Sequence, residues 1–455
     1  MKKRPILLSL AICLLTLSVL FTYFTMYSNV RGLDLFFNRE LLLNWGQADT
    51  TPTSDAAQKT PEASTPTLTP TGTPAPTPIV TPAPTPSYVD IKLSFVGDFL
   101  MHDNVLNAHY DAEKDGYDFN PAFTQVKQVL SASDYVVASL EVPFGGKDAG
   151  KYAGYPKFNC PDALATAFAK NHIKLLFTAG THAYDADTAG MQRTLAVLKQ
   201  NGIAATGTKA TAEEKSYMVA DVNGVKIGFV NYMAGDRRSD GTIHTNGIKL
   251  SKEQEACMNI FTYQELDAFY TQLQGQLDEM KQAGAEVLVV GIRWGTDYKT
   301  KEDTTQKEIA QALCDMGVDI ISGNGPHMIQ PFTTYTSEQS GKTTLCMYSL
   351  GNFLSNQRKE LISYKSGHTE DGIIYTIHIR KETNGAVSVG KVEYVPTWVS
   401  LTETTNGKLV YDILPFVEQP TESAQLASYN RTQEIVKEGV LEYNNRFFTI
   451  DDKEE

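Results

Sequence analysis

Four potential ligand or acid–base side chains in this sequence each fall just after a short apolar run. Asp98 follows residues 91–96 through Gly97, and Glu141 follows residues 135–138 through Ser139 and Leu140. His182 follows residues 173–177, with Asp185 three positions later, and His327 closes the turn Gly323-Asn324-Gly325-Pro326 after residues 318–321. Carboxylate oxygens and imidazole nitrogens drawn from four separate segments make a ligand set for one divalent ion, Mn, Zn or Mg, that polarises a substrate or activates water. Taken singly, each has an ordinary alternative. Gly-Asp caps turns, Glu141 could face solvent, and His182 with Asp185 could be a local cap or a pair in which the carboxylate only orients the ring. Their shared position after apolar runs is what joins them.

The runs themselves read as strands. Further ones lie at 226–230, after an Asn223-Gly224 hairpin turn, and at 287–290 and 345–348. Helical spacing occupies 162–171, 188–201, 263–283 and 304–316. Alternating strands and helices give the α/β class, here a sandwich of mixed sheets flanked by helices. In such sheets the ligand site lies beyond the carboxyl ends of the strands, where Asp98, Glu141, His182 and His327 fall. The domain is expected over residues 88–400. Residues 401–455 are a more polar extension with one helix near 423–443.

The amino-terminal part has another composition. Residues 6–26 are uncharged and apolar except for Ser and Thr, about the length that crosses ~30 Å of hydrocarbon. Lys2, Lys3 and Arg4 precede them, which keeps that end cytoplasmic and the rest extracytoplasmic. Residues 1–30 are therefore expected to be a cytoplasmic stub and single-pass membrane anchor. No small-residue cleavage site follows the run, which disfavours a cleaved signal peptide. Residues 31–87 form a linker. Ten of the 20 prolines lie between Pro52 and Pro86 among Thr, Ala and Ser, so the linker from about residue 50 reads as an extended stalk. The formal charge of −13, without a Lys/Arg cluster beyond residue 4, argues against a nucleic-acid partner. Five cysteines without a CxxC pair argue against a zinc ribbon or a dense disulfide framework.

Seven stretches in order resemble the CapA, or poly-γ-glutamate capsule biosynthesis, family: SFVGDFLMHDNV from Ser94, SLEVPF from Ser139, YPKFNCP from Tyr155, TAGTHAYDADTAGMQRTLAVLKQNGI from Thr178, RWGTDY from Arg293, GVDIISGNGPHMIQP from Gly317 and YSLGNF from Tyr348. The resemblance implies a calcineurin-like metallophosphoesterase-type fold. It also implies ligand positions, three of which this chain departs from. Where the family carries Asn, His and His, this sequence has Thr181, Arg293 and Gly325. Neither glycine nor a permanently charged guanidinium ligates a metal. Asp98, Glu141, His182 and His327 remain, enough for at most one ion. Arg293 could instead pair with Glu141 or Asp98, or hold a carboxylate or phosphate in bidentate fashion.

Two functions of different class follow from the resemblance. The first is a membrane-anchored protein acting in synthesis, export or attachment of an anionic envelope polymer such as poly-γ-glutamate, alongside other capsule-synthesis proteins. Its metal-assisted hydrolase or transferase chemistry would use Glu141, His182, Asp185 and Arg293. The second is a non-catalytic polymer-binding member with Arg293 as the anion anchor. A secreted metallophosphoesterase is a third reading, and it needs the two-metal site that the substitutions remove.

Overall fold

The computed structural model describes residues 88–448. The apolar run at 6–26 and the Thr/Pro-rich stretch lie outside them, and no helix among the described residues is long and apolar enough to cross a membrane. Two β-sheets form the centre. The strands that build them are β1 (Tyr88–Phe99), β2 (Tyr135–Leu140), β3 (Ile173–Phe177), β4 (Ala204–Thr206), β5 (Tyr217–Val222), β6 (Val225–Ala234), β7 (Ile260–Phe261), β8 (Val287–Arg293), β9 (Ile320–Asn324), β10 (Phe332–Thr336), β11 (Thr343–Met347), β12 (Asn352–Leu354), β13 (Asp371–Glu382), β14 (Val387–Glu403) and β15 (Leu409–Pro415). The first sheet runs β15-β14-β13-β1-β2-β3-β4, with β12 beside the end of β1. The second runs β7-β6-β8-β9-β11-β10, with β5 beside β6.

Both sheets are mixed. β1, β2, β3 and β4 are parallel to one another, as are β6, β8, β9 and β11, whereas β13, β14 and β15 add to β1 as an antiparallel meander. Three packed zones follow from the alternation of side chains along the strands. Leu93, Phe95, Leu175 and Phe177 from the first sheet meet Ile227, Phe229, Val289 and Ile320 from the second, so one core lies between the sheets. Their neighbours Val96, Val136 and Leu176 face the other way, onto Leu164 and Phe168 of helix α1 (Ala163–Lys170) and Leu198 of α2 (Asp187–Gln200). Behind the second sheet, Val290 and Ile321 pack on Leu273 and Leu277 of α3 (Leu266–Gln282) and Ile309 and Leu313 of α4 (Thr304–Asp315). The order helix, sheet, sheet, helix is the expected α/β sandwich. The four described cysteines are buried free thiols.

The boundary expected at residue 400 falls inside β14, and the chain beyond it completes the first sheet. β15 pairs with β14 from Thr397↔Pro415 to Glu403↔Leu409. Helix α5 (Ser423–Phe447) then returns across the sheet: Asn444 accepts from Val392 N at 3.0 Å and donates to its carbonyl at 2.8 Å, and Tyr443 Oη donates to Gly390 O at 3.0 Å. Val436 and Val440 enter the core between the sheets. The helix anticipated near 423–443 is present and packed.

Candidate functional site

Parallel strands point their carboxyl ends to one edge of the sandwich, and the residues singled out in the sequence sit there. Asp98 is the penultimate residue of β1, in register with Ser139 of β2 and Asn352 of β12. Glu141 follows β2 directly, and His182 lies five residues beyond β3. Arg293 ends β8 and is paired in register with Asn324, which ends β9, so His327 follows only three residues later. β1 reaches this depth because Gly97 has no side chain: a Cβ there would lie 2.0 Å from the Gly351 carbonyl oxygen.

At the centre of the site is an ion pair. Arg293 Nε donates to Glu141 Oε1 at 3.2 Å, and Glu141 Oε2 accepts from Thr181 N at 3.1 Å. Glu141 is 1% exposed, and the arginine side chain keeps 15%. Beside it, Asp98 is equally buried, and neither of its carboxylate oxygens has a hydrogen bond of good geometry, although the Ser139 hydroxyl and the Gly325 N–H lie near enough to favour its charged form. Burial, then repulsion from Glu141, pushes the Asp98 carboxyl up to about 8, although Arg293 pulls the other way. His327 Nδ1 lies 3.2 Å from Asn352 Oδ1 and 3.6 Å from Asp98 Oδ2. Burial and the nearby guanidinium lower that imidazole to about 4, which makes it a neutral ring. Arg293 is held above its ordinary value: burial works against its charge, but Glu141, Asp297 and Asp98 outweigh it.

The second half of the site is a positioned imidazole. His182 Nδ1 is 2.7 Å from Asp185 Oδ2. The same oxygen accepts from Phe158 N at 2.8 Å, and Oδ1 accepts from Asn246 Nδ2 at 2.7 Å. Asp185 is thus fully engaged and fixes the ring, leaving Nε2 for chemistry or for a ligand. The Phe158 ring packs edge-on against His182 at 4.6 Å and His102 at 5.4 Å, which brings His102 to the site's edge. Burial lowers His102 to about 4, against its hydrogen bond with the Leu100 carbonyl.

The three departures from the family pattern have structural roles here. Thr181 serves Glu141 through its backbone, and its own hydroxyl is buried without a partner. Gly325 has φ +115°, and a Cβ there would stand 2.7 Å from the Trp294 carbonyl oxygen and 3.2 Å from Arg293 Cγ. The arginine stem passes where a side chain at 325 would be. Among the described residues no three His, Cys, Asp or Glu side chains converge as a metal-binding group. The two orphan oxygens of Asp98 ask for a cation or a proton, but a guanidinium already stands on Glu141. The residues present therefore do not fit a divalent ion while Arg293 keeps this position.

Several contributors went unread in the sequence. Asn352 donates to the His327 carbonyl at 3.3 Å, Gln357 Oε1 at 3.0 Å and the Thr369 carbonyl at 2.9 Å, so it ties the His327 turn to β12. Its only sequence signal is the asparagine in YSLGNF. Tyr298 has φ +61°, stacks on Tyr364 at 4.3 Å and approaches the His327 ring at 6.0 Å. Its only sequence signal is its place at the end of RWGTDY.

Carboxylates, imidazoles and one guanidinium delivered by parallel strands of two packed sheets define an α/β sandwich protein with a charged site at the strand ends. The chain belongs to the family described as bacterial capsule synthesis protein PGA_cap, whose model matches residues 92–357. It is similar to the capsule biosynthesis protein CapA of Bacillus anthracis, 25% identical over 303 residues, 66% of this chain and 66% of that protein. It is also similar to the PGA biosynthesis protein CapA of Bacillus subtilis (strain 168), 27% identical over 306 residues, 67% of this chain and 71% of that protein. Among solved structures it aligns with the calcineurin-like phosphoesterase YfkN from B. subtilis over 79% of this chain and 99% of that one, at 13% identity and a TM-score of 0.38. A putative 5'-nucleotidase from Staphylococcus aureus aligns over 76% of this chain and 58% of that one, at 11% identity and a TM-score of 0.40. At such scores neither structure assigns a role to any residue here.

Proposed function

We propose that this protein acts in the synthesis, export or attachment of an anionic capsule polymer, poly-γ-glutamate in the reading its family supports, and that it holds the polymer by its carboxylates at the strand-end site. The observation that carries the reading is Arg293. Its guanidinium uses only Nε internally, on Glu141, and makes no further hydrogen bond to the described residues. The Nη edge is therefore available to a bidentate carboxylate, the geometry a guanidinium matches best. The apolar run at 6–26 and the Thr/Pro-rich stretch support a membrane-anchored, extracytoplasmic location, where a capsule polymer passes.

Titration of poly-γ-glutamate into the full-length protein in detergent micelles tests this. Wild type is expected to bind with an affinity that falls as salt rises, and Arg293→Met at least about tenfold more weakly, the loss of one charge-assisted contact. Equal binding by the variant would overturn the role of Arg293. Absence of binding by wild type would overturn the polymer reading at this site. Fractionation with protease digestion of intact cells checks the location.

A second reading, hydrolase or transferase chemistry on the polymer, rests on the His182–Asp185 pair. An imidazole whose Nδ1 is fixed by a saturated carboxylate has the arrangement of a general acid or base. Polymer chain length after incubation with wild type and with His182→Ala decides it: shortening or transfer that only wild type performs supports catalysis.

A further inference from the structure

We propose that Arg293 is the resident cation of this site, standing in for the divalent ion expected from the family, and that Gly325, already required by its positive φ and by the Trp294 carbonyl, also leaves room for the arginine stem. Three observations meet here. Asp98 and Glu141 are both carboxyl side chains only 1% exposed at neighbouring strand ends, and at least one of them, Glu141, is compensated by a cation. The charge present is a guanidinium bonded to Glu141 at 3.2 Å. The stem carrying it runs past residue 325, where a Cβ would stand 3.2 Å from its Cγ. Any larger residue at 325 would have to displace the Trp294 carbonyl, which a Cβ would meet at 2.7 Å, and would press on the stem as well.

A fixed cation and a metal ion are alternatives at such a site. A divalent ion brought against Asp98 and Glu141 would sit beside a like charge that cannot be titrated away. Of the remaining donors, His327 Nδ1 is committed to Asn352, and His182 Nδ1 to Asp185. Their Nε2 atoms are left, with the two free oxygens of Asp98. Removing the guanidinium would therefore leave the buried carboxyls of Asp98 and Glu141 without their cation, and a divalent ion could take its place there, drawing the nearby imidazoles in only if they shift, since no three ligand side chains converge among the described residues of the wild-type chain. The two states also differ in what they hold. A metal can polarise a bound oxygen and generate hydroxide, whereas a guanidinium can only bind and orient an anion. The ligand class of the wild-type site is accordingly a carboxylate, phosphate or sulfate group, bound without a metal bridge.

The experiment is metal uptake by the full-length protein without polymer, so that its failure leaves the polymer reading standing. Wild type, Arg293→Ala and Arg293→Gln are stripped with chelator, exposed to Mn²⁺ or Zn²⁺, and read by bound metal per chain and by melting temperature. Wild type is expected to take up no stoichiometric metal and to show no shift in melting. The two variants are expected to melt lower than wild type, to bind about one ion per chain, and to recover part of the lost melting temperature. Adding Asp98→Asn to Arg293→Ala should abolish the uptake. Variants that fold only in the presence of metal would support the proposal equally. One ion per chain in wild type, lost on Asp98→Asn, would overturn it, since arginine and metal would then coexist. Folded variants indifferent to metal, or variants that metal cannot rescue, would also overturn it, because the guanidinium would not be filling a cation's place.

Discussion

Among the described residues, Arg431 and Arg293 each meet a buried carboxylate, at opposite degrees of completion. At Asp371 both oxygens are taken: Arg431 donates from Nε to Oδ2 at 2.6 Å and from Nη2 to Oδ1 at 2.7 Å, and Ser428 Oγ donates to Oδ1 at 2.6 Å. That pair joins α5 to the first residue of β13 and has no capacity left over. At the strand ends, Arg293 spends one nitrogen on Glu141, and Asp98 beside it accepts no hydrogen bond of good geometry. Folding satisfies buried polar groups wherever it can, since an unmatched one costs about 1–3 kcal/mol. A carboxyl left open in a site otherwise so well packed is satisfied by a proton, which burial holds on Asp98 to about pH 8, or by a partner from outside the chain. Ion pairing alone therefore does not distinguish architecture from function; an unsaturated carboxyl at the strand ends is what sets this pair apart from the one at Asp371.

The sharpest way to break this contrast is at the saturated pair. Arg431→Met leaves Asp371 buried and uncompensated and should lower unfolding stability by about 3–5 kcal/mol, as read by urea denaturation at pH 7. A loss below 1 kcal/mol would remove the structural role assigned to it. Next in size is Gly325→Ala, which forces a Cβ against the Trp294 carbonyl at positive φ. We expect a cost of about 1–3 kcal/mol, together with weaker polymer binding as the Arg293 stem is displaced. A stable variant with wild-type affinity would contradict the packing argument.

The open carboxylate should show in the pH dependence of stability. Asp98 titrates at about 8 in the fold, against about 3.9 when unfolded. The folded chain therefore keeps a proton that the unfolded chain has released, and stability falls as pH rises from about 4 to about 8, then levels. His327 works in the opposite sense: lowered to about 4 in the fold, it gains stability as pH rises from about 4 to about 6.5, and is silent above. Between about 6.5 and 8 only the Asp98 contribution remains of the two. Wild type should lose stability relative to Asp98→Asn over that window, by at most about 1.4 kcal/mol per pH unit. Parallel curves for the two proteins would show that the carboxylate is not carrying the proton.

The smallest effect belongs to a pair with good geometry and no burial. Arg380 contacts Asp90 through two nitrogens at 2.8 and 2.9 Å, but the two side chains are 46% and 44% exposed. Asp90→Asn should cost about 0–1 kcal/mol and nothing measurable in molar salt. A loss approaching that of Arg431→Met would mean that bidentate geometry, rather than burial, sets the scale.

The positions of Asp98, Glu141, His182 and His327 were legible because each comes just after an apolar run that stands out, and the rule that sites lie beyond strand ends did the rest, whereas Arg293 was legible only through the family resemblance. Asp185 was legible as a neighbour of His182 by spacing alone. The anchoring role of Asn352 was not, because one asparagine in a short strand after glycine looks like a turn. The meander β13-β14-β15 escaped for a different reason. In β14 and β15 apolar residues are interleaved with Thr, Tyr, Glu and Lys, so no long continuous apolar run announces them, as suits strands of an antiparallel sheet covered mainly on one side. The polar tail beyond residue 400 was misleading in the same way: β15 and α5 each bury only one face. The closeness of Arg293 to Gly325 depends on parallel register between β8 and β9, which spacing alone does not fix.

β1 begins at Tyr88, immediately after the Thr/Pro-rich segment, and occupies the middle of the first sheet. It is held by nine antiparallel register pairs to β13, from Tyr88↔Glu382 to Val96↔Ile374, and by parallel pairing to β2. A pull on the chain from its amino-terminal side is thus delivered along the axis of a central strand. Extraction would have to shear many backbone hydrogen bonds at once rather than unzip them in turn. The strand that carries Asp98 into the site is also the one that would bear such a load, so a pull from the amino-terminal side would reach the charged pocket directly.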